Sequence, residues 1–427
     1  MAQGPRGTVD RGIMLNGYFF FILSAVVGIY LLDLIGRLFN LSALRSDLPD
    51  DFSDVYDAEE YARSQEYTRE ETWFANVQDS FGVIVFLAFW WSGGFAWLDG
   101  FVRGFAEDAI LRGLLFTGVL YLVAQILAVP FDLYSTFVIE EKYGFNKMTW
   151  WTFTADIGKG LLLSLLLGAP LLALVLFLFE SIGELAWVYG WVAVSGFSLL
   201  LTYLAPPLIL PLFNKFTPLE EGELKDSIRA MAEKCEFPLT EVCEIDGSRR
   251  STKANAFFTG LGRNRKIALF DTLIENHSVR ELVAVLAHEI GHYRKKHILQ
   301  AVILGVLRTG VLFFMFGLFL NNRGLFDAFA VEHTSIYVSL VLFAFLFQPL
   351  SKLLDVGMMT FSRRNEYEAD AYAADVTGHP EDLISGLKRL SKDNLANLTP
   401  HPFFVFMNYS HPPTMKRIRT LAGAAQK

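Results

Sequence analysis

The sequence predicts a mainly α membrane protein, seven transmembrane helices joined to a polar domain that contains a small β-meander. Three observations lead there. Of 427 residues, 52% are hydrophobic and only 19% charged, where average chains carry about a quarter charged. The apolar residues fall in runs free of Asp, Glu, Lys and Arg, each near the ~20 residues that cross a hydrocarbon core as a helix. The charge collects instead in two late segments, 215–296 and 357–427.

Five runs, 13–32, 80–98, 113–131, 160–179 and 185–214, carry no charge at all. Residues 297–320, interrupted only by Arg308, and 334–351 bring the total to seven. The first run is too long, and its flanks too acidic, for a cleaved signal peptide, so it reads as a retained helix. The fifth exceeds one crossing, and Pro206, Pro207 and Pro211 should kink or end its second half. An odd number of spans puts the termini on opposite sides. Lys and Arg crowd the two polar segments, which places those on the cytoplasmic side and the amino terminus outside. The expected division is therefore 1–213, a membrane domain of five helices, and 214–427, in which cytoplasmic-face segments 214–296 and 357–427 flank helices at 297–320 and 334–351.

Disorder and a disulfide scaffold are excluded, because 39 Phe, 15 Tyr and 8 Trp demand burial while two cysteines staple nothing of this size. Cys235 and Cys243 read as reduced thiols. The net charge of -8 comes largely from an acidic loop between Asp47 and Glu71, which excludes nucleic acid as a partner.

Within the first polar segment, 220–234 has helical periodicity and 241–245 alternates as a strand. Asp246, Gly247 and Ser248 supply turn chemistry. Residues 254–259 and 266–270 read as two more extended pieces around a glycine-rich turn at 260–262, which completes the meander. Ser278, three residues before Glu281, makes a capping box. Val279, Leu282, Val283 and Leu286 then carry helical periodicity into the next motif.

That motif is HEIGH, from His288 through Glu289 to His292. A spacing of four puts both imidazoles on one helical face, where they can share a metal. Zinc is the expected ion: two imidazoles and one carboxylate leave a fourth position for water, whose pKa falls from near 16 to about 7. Glu289 would take that water's proton and pass it to a leaving amine. The carboxylate can come from RRNEYEAD, Arg363 to Asp370, where Glu366 and Asp370 are also four apart. One of them can bind metal while the other accepts the remaining N–H of a ligating histidine. On a solvated acidic face Glu368 would serve equally well, but Tyr367, Ala369, Tyr372 and Ala373 make this a packing surface.

HEIGH, SRRNEYEADAYA at 362–373, HPPTMKR at 411–417 and KANAFFTG at 253–260, with EEKYGFNKMTW at 140–150 and PLFNKFTPLEEGEL at 211–224, resemble the CAAX prenyl protease type 1 family. The likeness runs from about Phe131 onward. It implies a gluzincin-like zinc protease domain in an integral-membrane endopeptidase with one Zn2+ per chain. The implied reaction removes the last three residues after a prenylated cysteine, with a peptide or protein substrate and the lipid bilayer as partners. By the same resemblance His288, His292 and Glu366 are the zinc ligands, Glu289 the general base and Asp370 the carboxylate behind a ligand. Asn255 would hold substrate backbone beside an edge strand. His411 would steady the substrate carbonyl or its oxyanion, a role worth about 3 to 4 kcal/mol in other acyl-transfer sites, and Arg417 would bind close by. The family's helices enclose a chamber, for which Arg308 and Gln348 are candidates. Glu368 stands where eukaryotic members have glutamine, and Lys253 precedes the Ala-Asn pair, features that look more like a bacterial branch. The membrane is then the bacterial inner membrane or the endoplasmic reticulum. His277, Lys295 and His297 read as interfacial.

Two other readings stay open. A site-2-type intramembrane or general membrane quality-control protease would hold HEIGH inside a span and take its third ligand from Asp355. Against it, Arg294, Lys295 and Lys296 follow the motif at once. A non-catalytic transporter or scaffold would keep a vestigial metal site, yet structural zinc is normally closed by four protein ligands and three are on offer.

Overall fold

A computed structural model describes residues 12–259 and 265–425; the turn expected at 260–262 lies outside them. Among the described residues, seven helices are long and apolar enough to cross a membrane. α1 (Gly17–Ser42) starts where the Asn16 side chain accepts from the Phe19 N–H. α2 (Ala58–Trp91) begins inside the acidic stretch with a capping box from Asp57 and Glu60. Its span therefore lies earlier than 80–98. Gly93, in left-handed backbone at φ 76°, breaks the helix and sends the rest of that run into α3 (Gly94–Phe105). α4 (Ala109–Tyr134) continues as π-helix over Ser135–Glu140.

α5 (Trp150–Leu163) and α6 (Ala169–Ser181) make one crossing through a π segment, Ser164–Gly168. α7 (Ala186–Leu204) passes through a second one, Ala205–Ile209, into α8 (Leu210–Phe213). Pro206 and Pro207 sit in that segment, where the hydrogen-bond ladder is already widened and a missing N–H is tolerated. The helix does not end at its prolines and continues.

The polar part opens with β1 (Phe216–Pro218), a three-residue edge that the sequence did not signal, then α9 (Glu223–Lys234) and β2 (Leu239–Ile245). β3 (Ala256–Thr259) and β4 (Arg265–Phe270) complete a sheet of order β1-β2-β4-β3. The small sheet is there, but it is mixed and not a plain meander: β2 and β4 are parallel neighbours, and among the described residues β3 pairs only with β4. After the 3-10 turn Gly247–Arg249 the chain enters β3, which runs antiparallel to β4, so that β4 comes back beside β2 in the same direction. β3 is left as an edge strand.

α10 (Asp271–Asn276) leads into α11 (Val279–Arg294), which carries HEIGH behind the Ser278/Glu281 capping box. α12 (His297–Phe319) and the short α13 (Arg323–Asp327) precede α14 (Ile336–Thr377). At about 1.5 Å per residue, the 42 residues of α14 run about 63 Å, roughly twice the hydrocarbon thickness. The last span and RRNEYEAD are thus one unbroken rod. α15 (Pro380–Asp393), α16 (Pro402–Asn408) and α17 (Thr414–Ala425) finish the chain.

The start of α1 is tied to the α12–α14 connection, by the Met14 N–H on the Asp327 carbonyl and Asn16 Nδ2 on the Gly324 carbonyl. Its far end meets α16, where Asn40 accepts from the His401 N–H. The acidic stretch is not a free loop. Phe52, Tyr56 and Tyr61 pack with Leu398 and Ile418, while Asp51, Asp54 and Glu60 pair with Arg419, Lys388 and Lys392. Burying an aromatic contributes about 1.5 to 3 kcal/mol, against about 0 to 1 for each exposed pair. The aromatics hold the stretch down and the charges set where it lands.

Candidate active site

α11 and α14 pack closely because Gly291 has no side chain. A Cβ there would lie 3.1 Å from the Ala369 Cα and 3.2 Å from its carbonyl oxygen. That approach brings His288, His292 and Glu366 together. His288 Nε2 is 3.2 Å from His292 Nε2 and 3.5 Å from Glu366 Oε2, and His292 Nε2 is 3.2 Å from Glu366 Oε1. Bonds of about 2.0 to 2.1 Å to a tetrahedral metal put neighbouring donors about 3.3 Å apart, so the three side chains fit an ion. Glu366 Oε2 is buried and takes no hydrogen bond, with only the longer approaches of His288 Nε2 at 3.5 Å and Arg417 Nη1 at 3.4 Å, which leaves it an acceptor that an ion can use.

Behind this cluster His288 Nδ1 lies 2.8 Å from Asp370 Oδ1. Arg417 grips Asp370 in turn and reaches Glu366 Oε2 at 3.4 Å. Burial disfavours a charged His288, but Asp370 and Glu366 outweigh it and push its pKa up to about 9. Arg417 is also buried, which works against its charge, and Asp370 more than offsets that.

In front lies a cavity of about 640 Å³ lined by Glu289, His292, Glu366 and His411, with Phe257 of β3 on one wall. His411 is exposed, its Nε2 3.4 Å from Glu366 Oε1 and its Nδ1 2.9 Å from Ser410 Oγ. Asn255 is not in this cavity. Its side chain accepts from the Ala256 N–H, and it lines a neighbouring space of about 700 Å³ with Lys253, Tyr67 and Asn394. Lys253 pairs there with Glu140 at 3.0 Å.

Asp355 stands eleven residues before Glu366 on α14, about 16 Å along the rod, and pairs with Arg308 at 2.7 Å. It takes no part in the three-donor cluster. Arg308 is half-exposed, as are the pairs Lys352–Asp33 and Arg37–Asp79. Gln348 is half-buried.

Two side chains expected at the interface are buried instead, His277 and His297. The left-handed backbone of Lys296, at φ 61°, turns the chain sharply enough to fold His297 back over His292. The histidine five residues after the motif was the signal available in the sequence; that turn was not legible.

Residues 218–425 match the family model described as Peptidase family M48, and residues 37–215 match the one described as CAAX prenyl protease N-terminal, five membrane helices. A CAAX prenyl protease 1 homolog of Arabidopsis thaliana is 33% identical over 415 residues, 95% of this chain and 98% of that protein. The chain belongs to the CAAX prenyl protease 1 family. The CAAX prenyl protease 1 of Saccharomyces cerevisiae is 34% identical over 407 residues, 89% of each chain. The crystal structure of S. mikatae Ste24p superposes with a TM-score of 0.90 at 31% identity, over 96% of this chain and all of that one. As a CAAX prenyl protease 1 family member the chain is a multi-pass membrane metalloendopeptidase, neither a transporter nor a scaffold.

Proposed function

We propose that this endopeptidase binds one Zn2+ per chain through His288, His292 and Glu366, and cleaves the last three residues from prenylated protein C-termini at the cytoplasmic face of its membrane. The observation that carries it is the open cluster of three donors beside Glu289, in a cavity bordered by an edge strand. Bound zinc would supply Lewis acidity to a water and to a substrate carbonyl. Glu289 takes the water's proton onto its carboxylate and returns it to the leaving amine. His411, exposed at the mouth where a substrate would lie, donates to the carbonyl oxygen as charge develops there. Asp370 fixes the His288 tautomer, and Arg417 holds Asp370.

β3 offers its free edge to an extended peptide, with Asn255 at its start to anchor the chain beyond the cleaved bond. One part of the cavity wall, formed by Ile298, Leu304, Met358, Met359 and Phe361, is suited to a hydrocarbon chain. The domain division at 213/214 is supported by the two matched segments. The cytoplasmic placement rests on the Lys and Arg of the polar segments.

The test is hydrolysis of a farnesylated CaaX peptide and its unprenylated twin by purified wild type and Glu289→Gln. Zinc bound by both proteins, with the prenylated peptide cut at least about a hundredfold faster by wild type than by Glu289→Gln and faster than its unprenylated twin, is the expected result. Equal hydrolysis by Glu289→Gln would end the assignment of the base, and equal rates on both peptides the assignment of substrate.

A further inference from the structure

The two histidines of the cluster are held from behind in different ways. His288 Nδ1 faces the Asp370 carboxylate directly at 2.8 Å. Among the described residues, none places a carboxylate behind His292. Its Nδ1 lies 3.1 Å from Nδ1 of His297, whose Nε2 is 3.3 Å from Glu368 Oε2, and Glu368 Oε1 accepts from Arg364 Nε at 3.0 Å.

The direction of this row follows from hydrogen-bonding capacity. A histidine that gives Nε2 to a metal carries its proton on Nδ1 and needs an acceptor there. A neutral imidazole accepts at one nitrogen only when its proton is on the other. A carboxylate at His297 Nε2 stabilises that arrangement, because an ionised carboxylate can only accept. The row therefore reads His292 Nδ1–H to His297 Nδ1, then His297 Nε2–H to Glu368. His297 is only 4% exposed, so water does not compete for it, and the left-handed Lys296 keeps its ring over His292.

We infer that His297 is a positioning residue for the metal site, fixing the tautomer and ring orientation of His292, and that Glu368 sets the tautomer of His297. The inference rests on His292 being a ligand, as proposed above. It gives Glu368, two residues beyond Glu366, a task distinct from metal binding.

Zinc affinity of the full-length protein in detergent, measured by competition with a chromogenic chelator, tests it without recourse to activity. His297→Leu should weaken zinc about 10- to 100-fold, the usual effect of losing a partner behind a ligand. His297→Asn, whose amide oxygen stands where Nδ1 accepts, should stay within about threefold of wild type. Glu368→Leu, at a partly exposed position that leaves folding intact, should lose about three- to tenfold with no change in the melting temperature of the metal-free protein. Wild-type affinity in a folded His297→Leu overturns the inference, as does wild-type affinity in Glu368→Leu if His297→Leu does not fold. If wild type itself binds no zinc, the ligand assignment has failed and the inference with it; if His292→Ala abolishes binding while His297→Leu does not, only the inference has failed.

Discussion

Arg417 holds Asp370 with both arms of its fork, Nη2 to Oδ1 at 2.6 Å and Nε to Oδ2 at 2.8 Å, and both residues are buried. Losing one partner leaves an uncompensated buried charge, which costs about 3 to 5 kcal/mol. Arg417→Ala should therefore melt well below wild type in detergent and retain little zinc. Arg417→Lys, unable to form two parallel bonds, should fold and bind zinc more weakly. A wild-type melting temperature for Arg417→Ala would contradict this account.

The contact between Gly291 and Ala369 sets the spacing of α11 and α14. Helix propensity alone would favour alanine at position 291 by about 0.5 to 1 kcal/mol. The new methyl would meet the backbone of Ala369 at 3.1 Å, and overpacking of this kind costs about 1 to 3 kcal/mol. Gly291→Ala should thus be mildly destabilised. Gly291→Val should separate Glu366 from the histidines, and stoichiometric zinc in that variant would show that the helices can yield.

The acidic stretch makes a sharper contrast. Phe52 is fully buried, so Phe52→Ala should cost about 3 to 5 kcal/mol. Asp54→Ala removes an exposed pair with Lys388 and should cost no more than about 1 kcal/mol, less still at high salt. Melting curves at two salt concentrations measure both. If the charge variant proved the more damaging, electrostatics would be what docks the stretch.

Asp355 and Glu366 can be separated by metal analysis. Glu366→Gln should lose zinc, since an amide replaces a charged ligand. Asp355→Asn should keep it, because Asp355 lies about 16 Å down α14 and meets Arg308. The opposite pattern would move the third ligand into the membrane.

The number of spans and the HEIGH helix were legible along the chain, although Gly93 breaks the second charge-free run and moves that span earlier. Lipid leaves backbone groups no partner outside a continuous helix, so a charge-free run of the right length is enough, and an i, i+4 pair on a capped helix needs no distant contact. The sequence also offered the carboxylates of RRNEYEAD as the third donor, with Asp355 as the alternative. Choosing among them took tertiary structure. Two residues on a helix are turned by about 200°, so Glu366 faces α11 while Glu368 faces the start of α12, and Asp370, one turn beyond Glu366, meets His288 from behind. The docking of the acidic stretch, the parallel pairing of β2 with β4 and the burial of His297 were likewise invisible in one dimension. Each depends on which distant surfaces meet, and that is fixed by packing across the whole chain, not by the residues alongside.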